Sequence, residues 1–270
     1  MANFDMNNFT IDRVLRGMMV STDDGSVMWS INQITNPSLN VTLTDTSQAV
    51  DALGSPIAEF DRGREAEFSA ENSIFDLSLY AAQMGNDVEV GGTDENGDVT
   101  IITTPAFVDY EVKGESDEKW TLEHTPNAEL KAIYLLNGDG TLGTAYKAGT
   151  TASATEFVHS DKEITIPTGL AKGDILFVMY DYEAESGVSV TADGINFPKK
   201  GRFVMEVLGA DVCNQDELIH AYVIFPNAKL DGNVDYSFTT DGTHPFTIKA
   251  LQDYCDSKKK LFSIVIPDEA

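Results

Sequence analysis

Apolar and polar side chains alternate at every second residue along much of the chain, which is the period of a half-buried strand. Val27, Trp29 and Ile31 alternate with Met28, Ser30 and Asn32, and Leu39, Val41 and Leu43 alternate with Asn40 and Thr42. Ala66, Phe68 and Ala70 alternate with Glu65, Glu67 and Ser69. Val234, Tyr236 and Phe238 alternate with Asp235, Ser237 and Thr239. Each run predicts a strand of an antiparallel sheet, with one face in a core and the other in water. The runs ILFVMY (175–180) and AYVIF (221–225) are apolar on both faces and predict central, doubly covered strands. In NSIFDLSLYAAQMG the period changes. Ile74, Leu77, Ala81 and Met84 share one helical stripe there, widened by Phe75, Leu79 and Ala82. Ser73 with Asp76 predicts a capping-box-like start, and Gly85 predicts the stop. The stretch TIKALQDYCDS fits a strand or a helix.

These elements predict a mainly β, antiparallel fold with one flanking α-helix packed on a sheet. Turns rich in Gly, Asp and Asn separate them, as in GGTDENGD (91–98), NGDGTLG (137–143) and ADGINFP (192–198). Residues 104–198 carry strands of their own, such as KEITIP and ILFVMYDY. They are either an inserted β subdomain or an enlargement of a core made by residues 1–103 and 199–270. One connection departs from the usual polar loop. Between the alternating runs around 43 and 66, the tip carries Ala49, Val50, Ala52 and Leu53. Either this tip folds back on its own core, or it waits for another molecule.

Charge narrows the partners. The 270 residues include 18 Lys and Arg against 44 Asp and Glu, a formal net charge of −26. Phosphate backbones are bound by cations that displace condensed counterions, so this balance argues against ordinary nucleic-acid binding. Lys258, Lys259 and Lys260 form the one basic run and read as a solvated turn before the last strand. Cys213 and Cys255 give neither a zinc pattern nor a disulfide framework, and read as reduced, half-buried thiols that pair only if the fold brings them together. The N-terminal stretch has no basic region followed by an apolar one, and no stretch approaches the roughly 18 apolar residues of a membrane span, so a soluble chain made in a cytoplasm is expected.

Candidate chemistry is sparse. His124, His159, His220 and His244 stand singly, without the close partners of a metal site. There is no GxSxG elbow, Walker loop or GxGxxG after a strand. Asp94, Asn96 and Asp98 alternate as calcium ligands do, but no glutamate closes that loop, and Asn, Asp and Gly also favour plain turns. The expectation is a structural or interaction protein, not an enzyme, with no cofactor and no metal.

The stretch NPSLNVTLTDTSQAVDALGSPIAEFDRGREAEFSAENSIFDLSLYAAQMG resembles the major tail tube protein of long-tailed bacteriophages. The similarity lies in a hairpin loop with a D-A-x-G-x-x-I-like return, here Asp51, Ala52, Gly54 and Ile57. It continues in an A-A-Q-x-G-like helix end, here Ala81, Ala82, Gln83 and Gly85. AYVIFPNAKLDGNVDYSFTTDGTHPFTIKAL and KLFSIVIPD resemble the closing sheet of that family. The resemblance implies an antiparallel β-sandwich or barrel-like tail tube fold. It also implies self-association into hexameric rings that stack into an acidic conduit for genome ejection. Viral DNA would pass through without specific binding, and tail tip, tape measure and terminator proteins would be partners. The expected place is the virion tail, after synthesis in the host bacterial cytoplasm, with no membrane involved. By this resemblance the ring-to-ring contact is Ala49, Val50, Asp51, Ala52, Leu53 and Gly54, and Asp61, Glu65 and Glu67 are candidate lumen-facing acids. A capsid decoration protein, or a carbohydrate-binding or adhesin module, is the alternative; the latter would expose loop aromatics, whereas Trp29 and Trp120 sit in strand-like runs.

Overall fold

The computed structural model describes residues 8–93, 95, 97–254 and 257–267. Asp94, Asn96 and Cys255 lie outside the described residues, and with them the calcium-like spacing and any pairing of Cys255. The fold is mainly β, and the chain divides into two compact units, residues 1–88 with 190–270 and residues 89–189.

In chain order, the first unit opens with β1 (Phe9–Val20), β2 (Val27–Ile31), β3 (Ile34–Val50), β4 (Pro56–Asn72) and α1 (Leu77–Met84). The second unit holds β5 (Glu89–Thr93), β6 (Val99–Thr100), β7 (Ile102–Glu111), β8 (Lys119–Thr121), β9 (Ala132–Leu136), β10 (Leu142–Ala148), β11 (Glu156–Ser160), β12 (Glu163–Thr165), β13 (Ile175–Ala184) and β14 (Gly187–Ser189). The first unit resumes with β15 (Lys200–Asp211), β16 (Asn214–Leu230), β17 (His244–Ala250) and β18 (Ser263–Val265). Its sheet runs β2-β1-β15-β16-β17-β4-β3, with β18 beside β16, and all its pairs are antiparallel. The second unit has sheets β7-β13-β9-β10-β11-β12-β8 and β14-β5-β6, in which β10 and β11 run parallel.

Each unit has its own core. In the first, Trp29, Phe68, Phe203, Phe225, Phe246 and Ile248 pack together with Leu79 of α1. In the second, Trp120, Ile133, Phe157, Ile164, Leu176 and Val178 do so. The unit boundaries differ from those read in the sequence, for two local reasons. β5 pairs with β14, so residues 89–103 join the second unit. Residues 190–198 stay with the first because Asn196 donates to Asn86 Oδ1 at 2.7 Å and Lys199 reaches Asp87 at 3.1 Å.

Several expected elements change. ILFVMY lies in β13 and is covered on one face only: Leu176, Val178 and Tyr180 are buried, while Ile175 and Met179 are exposed. AYVIF lies in β16, with Ala221, Val223 and Phe225 buried and Tyr222 and Ile224 half-buried. Residues 234–238 form no strand; Tyr236 is drawn instead into the hydrogen-bonded cluster around His244. TIKA belongs to strand β17. The helix begins later than expected, because β4 runs to Asn72 and the Ser73 N–H donates to Gln33 O. Asp76, not Ser73, is the cap, accepting from the Leu79 N–H at 2.8 Å, and Gly85 closes the helix. Ile74 and Phe75 therefore lie outside the helix and are exposed. Cys213, in the turn between β15 and β16, is exposed rather than half-buried.

His244 ties the helix to the sheet. It is fully buried, and its Nδ1 accepts from the Asp76 N–H at 3.2 Å. The ring proton therefore sits on Nε2, which lies 2.8 Å from Gln83 Oε1 and 2.9 Å from the Tyr236 hydroxyl. Gln83 in turn donates to Pro245 O at 2.9 Å. A second proton would face the Asp76 N–H, donor against donor. Burial pulls the imidazole pKa down to about 4 from 6.5, with the Asp76 carboxylate acting weakly the other way. Because the folded value is depressed, this group's contribution to stability is complete above pH 6.5 and is lost as pH falls toward 4. At 1.36 kcal/mol per unit the loss is about 3 kcal/mol. Urea unfolding at pH 7 and pH 4 should show the wild type losing about that much more stability than H244N, which has nothing to titrate.

The junction of the units generates a second prediction. Glu89 and Ser189 are direct partners in the β5–β14 ladder, so the second unit begins and ends at neighbouring points. Replacing residues 89–189 by a short Gly/Ser linker should leave the first unit folded, as judged by a cooperative melt and dispersed amide resonances. An insoluble product would show that the first unit needs the second.

Candidate functional site

The hairpin of β3 and β4 is longer than the core it grows from. Ala66, Phe68 and Ala70 are buried at its root, in line with the alternation there. Nearly every residue from 40 to 65 is exposed, and the apolar Val41 and Leu43 are among them. The hairpin leaves the core at a pair of register shifts on either side of the Asp45–Gly63 pair. A Cβ on Gly63 would come within 2.4 Å of Thr44 Oγ1, so any larger residue at this irregularity would have to displace the Thr44 side chain. Beyond this point the register places Thr46, Gln48, Glu59 and Asp61 on one face, and Ser47, Ala49, Ala58 and Phe60 on the other.

The tip is a built loop. Asp51 Oδ1 accepts from the N–H groups of Leu53 and Ser55, each at 2.8 Å. The Asp51 N–H donates to Ser55 O at 2.9 Å, and the Gly54 N–H donates to Asp51 O at 3.1 Å. Gly54 takes a left-handed φ of +85°, which closes the turn without strain. Asp51 and Gly54, two letters of the return motif, thus hold the loop that pushes Leu53 outward to 92% exposure. Val50 (54%), Ile57 (68%) and Phe60 (53%) add to an apolar end with no cover among the described residues. The six tip residues 49–54 are brought together as one surface.

The acids predicted to act together are not all together. Glu65 and Glu67 lie on the root of β4, opposite Thr42 and Asn40 of β3. Asp61 lies beyond the register shifts, out on the arm, opposite Thr46. Glu67 also faces Lys249 across the ladder, and Lys249, Lys229 and Lys200 follow one another in register on β17, β16 and β15. Lys249 bonds to Asp231 at 2.5 Å; that bond first, then the Asp231, Glu67 and Glu65 charges, hold its pKa above the ordinary value. This cationic row was invisible in the sequence because its members are far apart in it.

Other candidates resolve simply. Trp29 and Trp120 are each buried in a core, while Phe107, Phe197, Phe238 and Tyr254 are among the exposed aromatics. No group of three or more His, Cys, Asp or Glu could hold a metal ion among the described residues. Among them, no helix is long and apolar enough to cross a membrane.

A chain with such an arm has a surface that its own fold does not use. The chain belongs to the YomU/Tube protein family. The match covers residues 9–264. This is a phage-derived tube family, so the chain is a phage tube-like protein, structural in kind. No curated protein matches it. Because the tip residues are exposed and take no part in the core of their own unit, V50D/L53D should melt within about 2 °C of the wild type, measured by circular dichroism. A large drop in Tm would show that the tip packs on its own chain.

Proposed function

We propose that the chain is the repeating subunit of a phage tail tube, forming hexameric rings that stack into a conduit for the genome. The observation that carries this reading is the preformed, uncovered apolar tip on a hairpin arm in a member of a tube family. In this reading the tip, residues 49–54, reaches the next ring. Burying Val50 and Leu53 contributes ~1.5–3 kcal/mol each. Ordering a flexible loop would oppose this by ~1–2 kcal/mol per residue, but Asp51 has already fixed the loop, so most of that cost falls away. Several weak contacts around one ring then act together, and growth from a nucleus is favoured over pairing of free subunits. Among the described residues β2 and β3 are the edge strands, and neighbours in a ring would fill their open ladders. The second unit, in this reading, is peripheral to the tube wall, and the tape measure, tail tip and terminator are the proteins met inside and at the ends.

Negative-stain microscopy of concentrated protein tests the reading: rings or tubes are expected, and a monodisperse monomer at every concentration overturns it. V50D/L53D should remain folded and form no tubes. Glu65 and Glu67 are proposed to face the lumen, where carboxylates keep DNA from sticking. Reversing both to Lys, which extends the Lys249 row, should leave tubes intact and slow genome ejection at low salt. Unchanged ejection kinetics would place these residues away from the channel.

A further inference from the structure

Where the arm leaves the sheet, its root and the segment after β17 enclose a cleft of about 750 Å³. Its walls carry Arg62 and Arg64 from β4, and Lys258, Lys259 and Lys260 from the segment before β18. That is five of the 18 cationic side chains of a chain with net charge −26, and no carboxylate lines the cleft among the described residues. Arg62 and Arg64 make no ion pair or side-chain hydrogen bond among the described residues. Lys259 is held over the Tyr254 ring, 5.6 Å from its centre. The Arg62 and Arg64 guanidinium groups, unpaired among the described residues, focus positive potential in this concave site, so the arrangement favours an acidic occupant.

The same sheet supplies one. The cleft adjoins the β4–β3 end of the strand order, and the β2–β1 end carries the turn Ser21-Thr22-Asp23-Asp24-Gly25-Ser26. Asp23 and Asp24 are exposed there. Asp24 is held charged by hydrogen bonds from Ser21 and Ser26, which bring its pKa down to about 2. Asp23 and Asp24 do not line the cationic cleft of their own subunit, but head-to-tail association of copies can bring the turn of one against the cleft of the next. We infer that the cationic cleft at the arm root receives the Asp23–Asp24 turn of a second copy of this chain. The inference rests on the self-assembly proposed above, and adds a charged contact between neighbours that is separate from the apolar tip. A nucleic acid is the competing occupant, since phosphates also seek arginine and lysine.

Two charge-reversed proteins, R62E/R64E and D23K/D24K, test it, each alone and the two mixed. All the altered side chains are exposed, so melts should match the wild type. Each variant alone should self-associate about tenfold more weakly at 0.1 M salt by sedimentation velocity, with the difference fading toward 1 M as screening grows. Mixing the two should restore association, because a reversed cleft then meets a reversed turn. R62Q/R64Q should show a smaller loss than the reversal. Wild type that assembles while both variants assemble equally well overturns the inference and leaves the tube reading standing. Wild type that never assembles overturns both. Fluorescence anisotropy with a labelled 20-base-pair duplex covers the competing occupant: binding by wild type that R62E/R64E abolishes would assign the cleft to nucleic acid and overturn the inference.

Discussion

The rings of Phe203 and its neighbours determine the shape of the first unit. Phe203 on β15 meets Trp29 of β2 at 5.7 Å, Phe68 of β4 at 5.8 Å and Phe225 of β16 at 5.9 Å. Phe246 of β17 lies 5.9 Å from Trp29, although β1, β15 and β16 separate β17 from β2 in the sheet. Strands spaced at about 4.8 Å would put those rings ~19 Å apart in a flat sheet. The sheet must therefore curl on itself until the aromatic side chains of its inner face touch. Burial of five large rings favours that closure, at roughly 1.5–3 kcal/mol for each fully buried side chain. The arm follows from it. Once Phe68 is anchored, the inner surface is full, and strands continuing past Ala66 have no core left to enter.

The sequence shows where strands run more clearly than what each face meets. Alternation around Phe68 and around Val41 looks identical, yet Phe68 is buried and Val41 exposed. An apolar face turned to a core and one turned to another molecule obey the same period, so only the loop composition at 49–53 hinted at the difference. Consecutive apolar residues at 175–180 misled for a related reason: one face fills the second core, and Ile175 and Met179 on the other are exposed. At 234–238 the alternation carried no strand at all, because hydrogen bonds to Gln83 and His244 outweigh a ladder with no available neighbour. Ser73 failed as a cap because the β3–β4 pairing had already claimed the chain around it.

The electrostatic features were the least legible. Arg62 and Arg64 lie 194 residues or more before Lys258–Lys260, and each group alone is an ordinary surface feature. Only the passage of β4 beside the segment after β17 makes them one cleft. The lysine row on β15, β16 and β17 likewise exists through register alone. A net charge describes what a chain repels at long range; where its opposite charges gather is decided by topology.

That distinction explains how so acidic a chain can pack against copies of itself. At 0.1 M salt, charges more than about 10 Å apart hardly sense one another, so the formal charge of −26 acts only where surfaces meet. A contact must then be locally neutral or locally complementary. The arm-tip contact proposed above is close to the first kind. The tip's one carboxylate, Asp51, is turned to the loop's own backbone, accepting two N–H groups, and the loop offers a partner Val50 and Leu53. Replacing Asp51 by a larger apolar residue would add hydrophobic surface and still weaken the tip, because the N–H groups of Leu53 and Ser55 would lose their acceptor and Leu53 its fixed direction. The acid in the middle of the apolar tip is thus what makes its apolar residues usable.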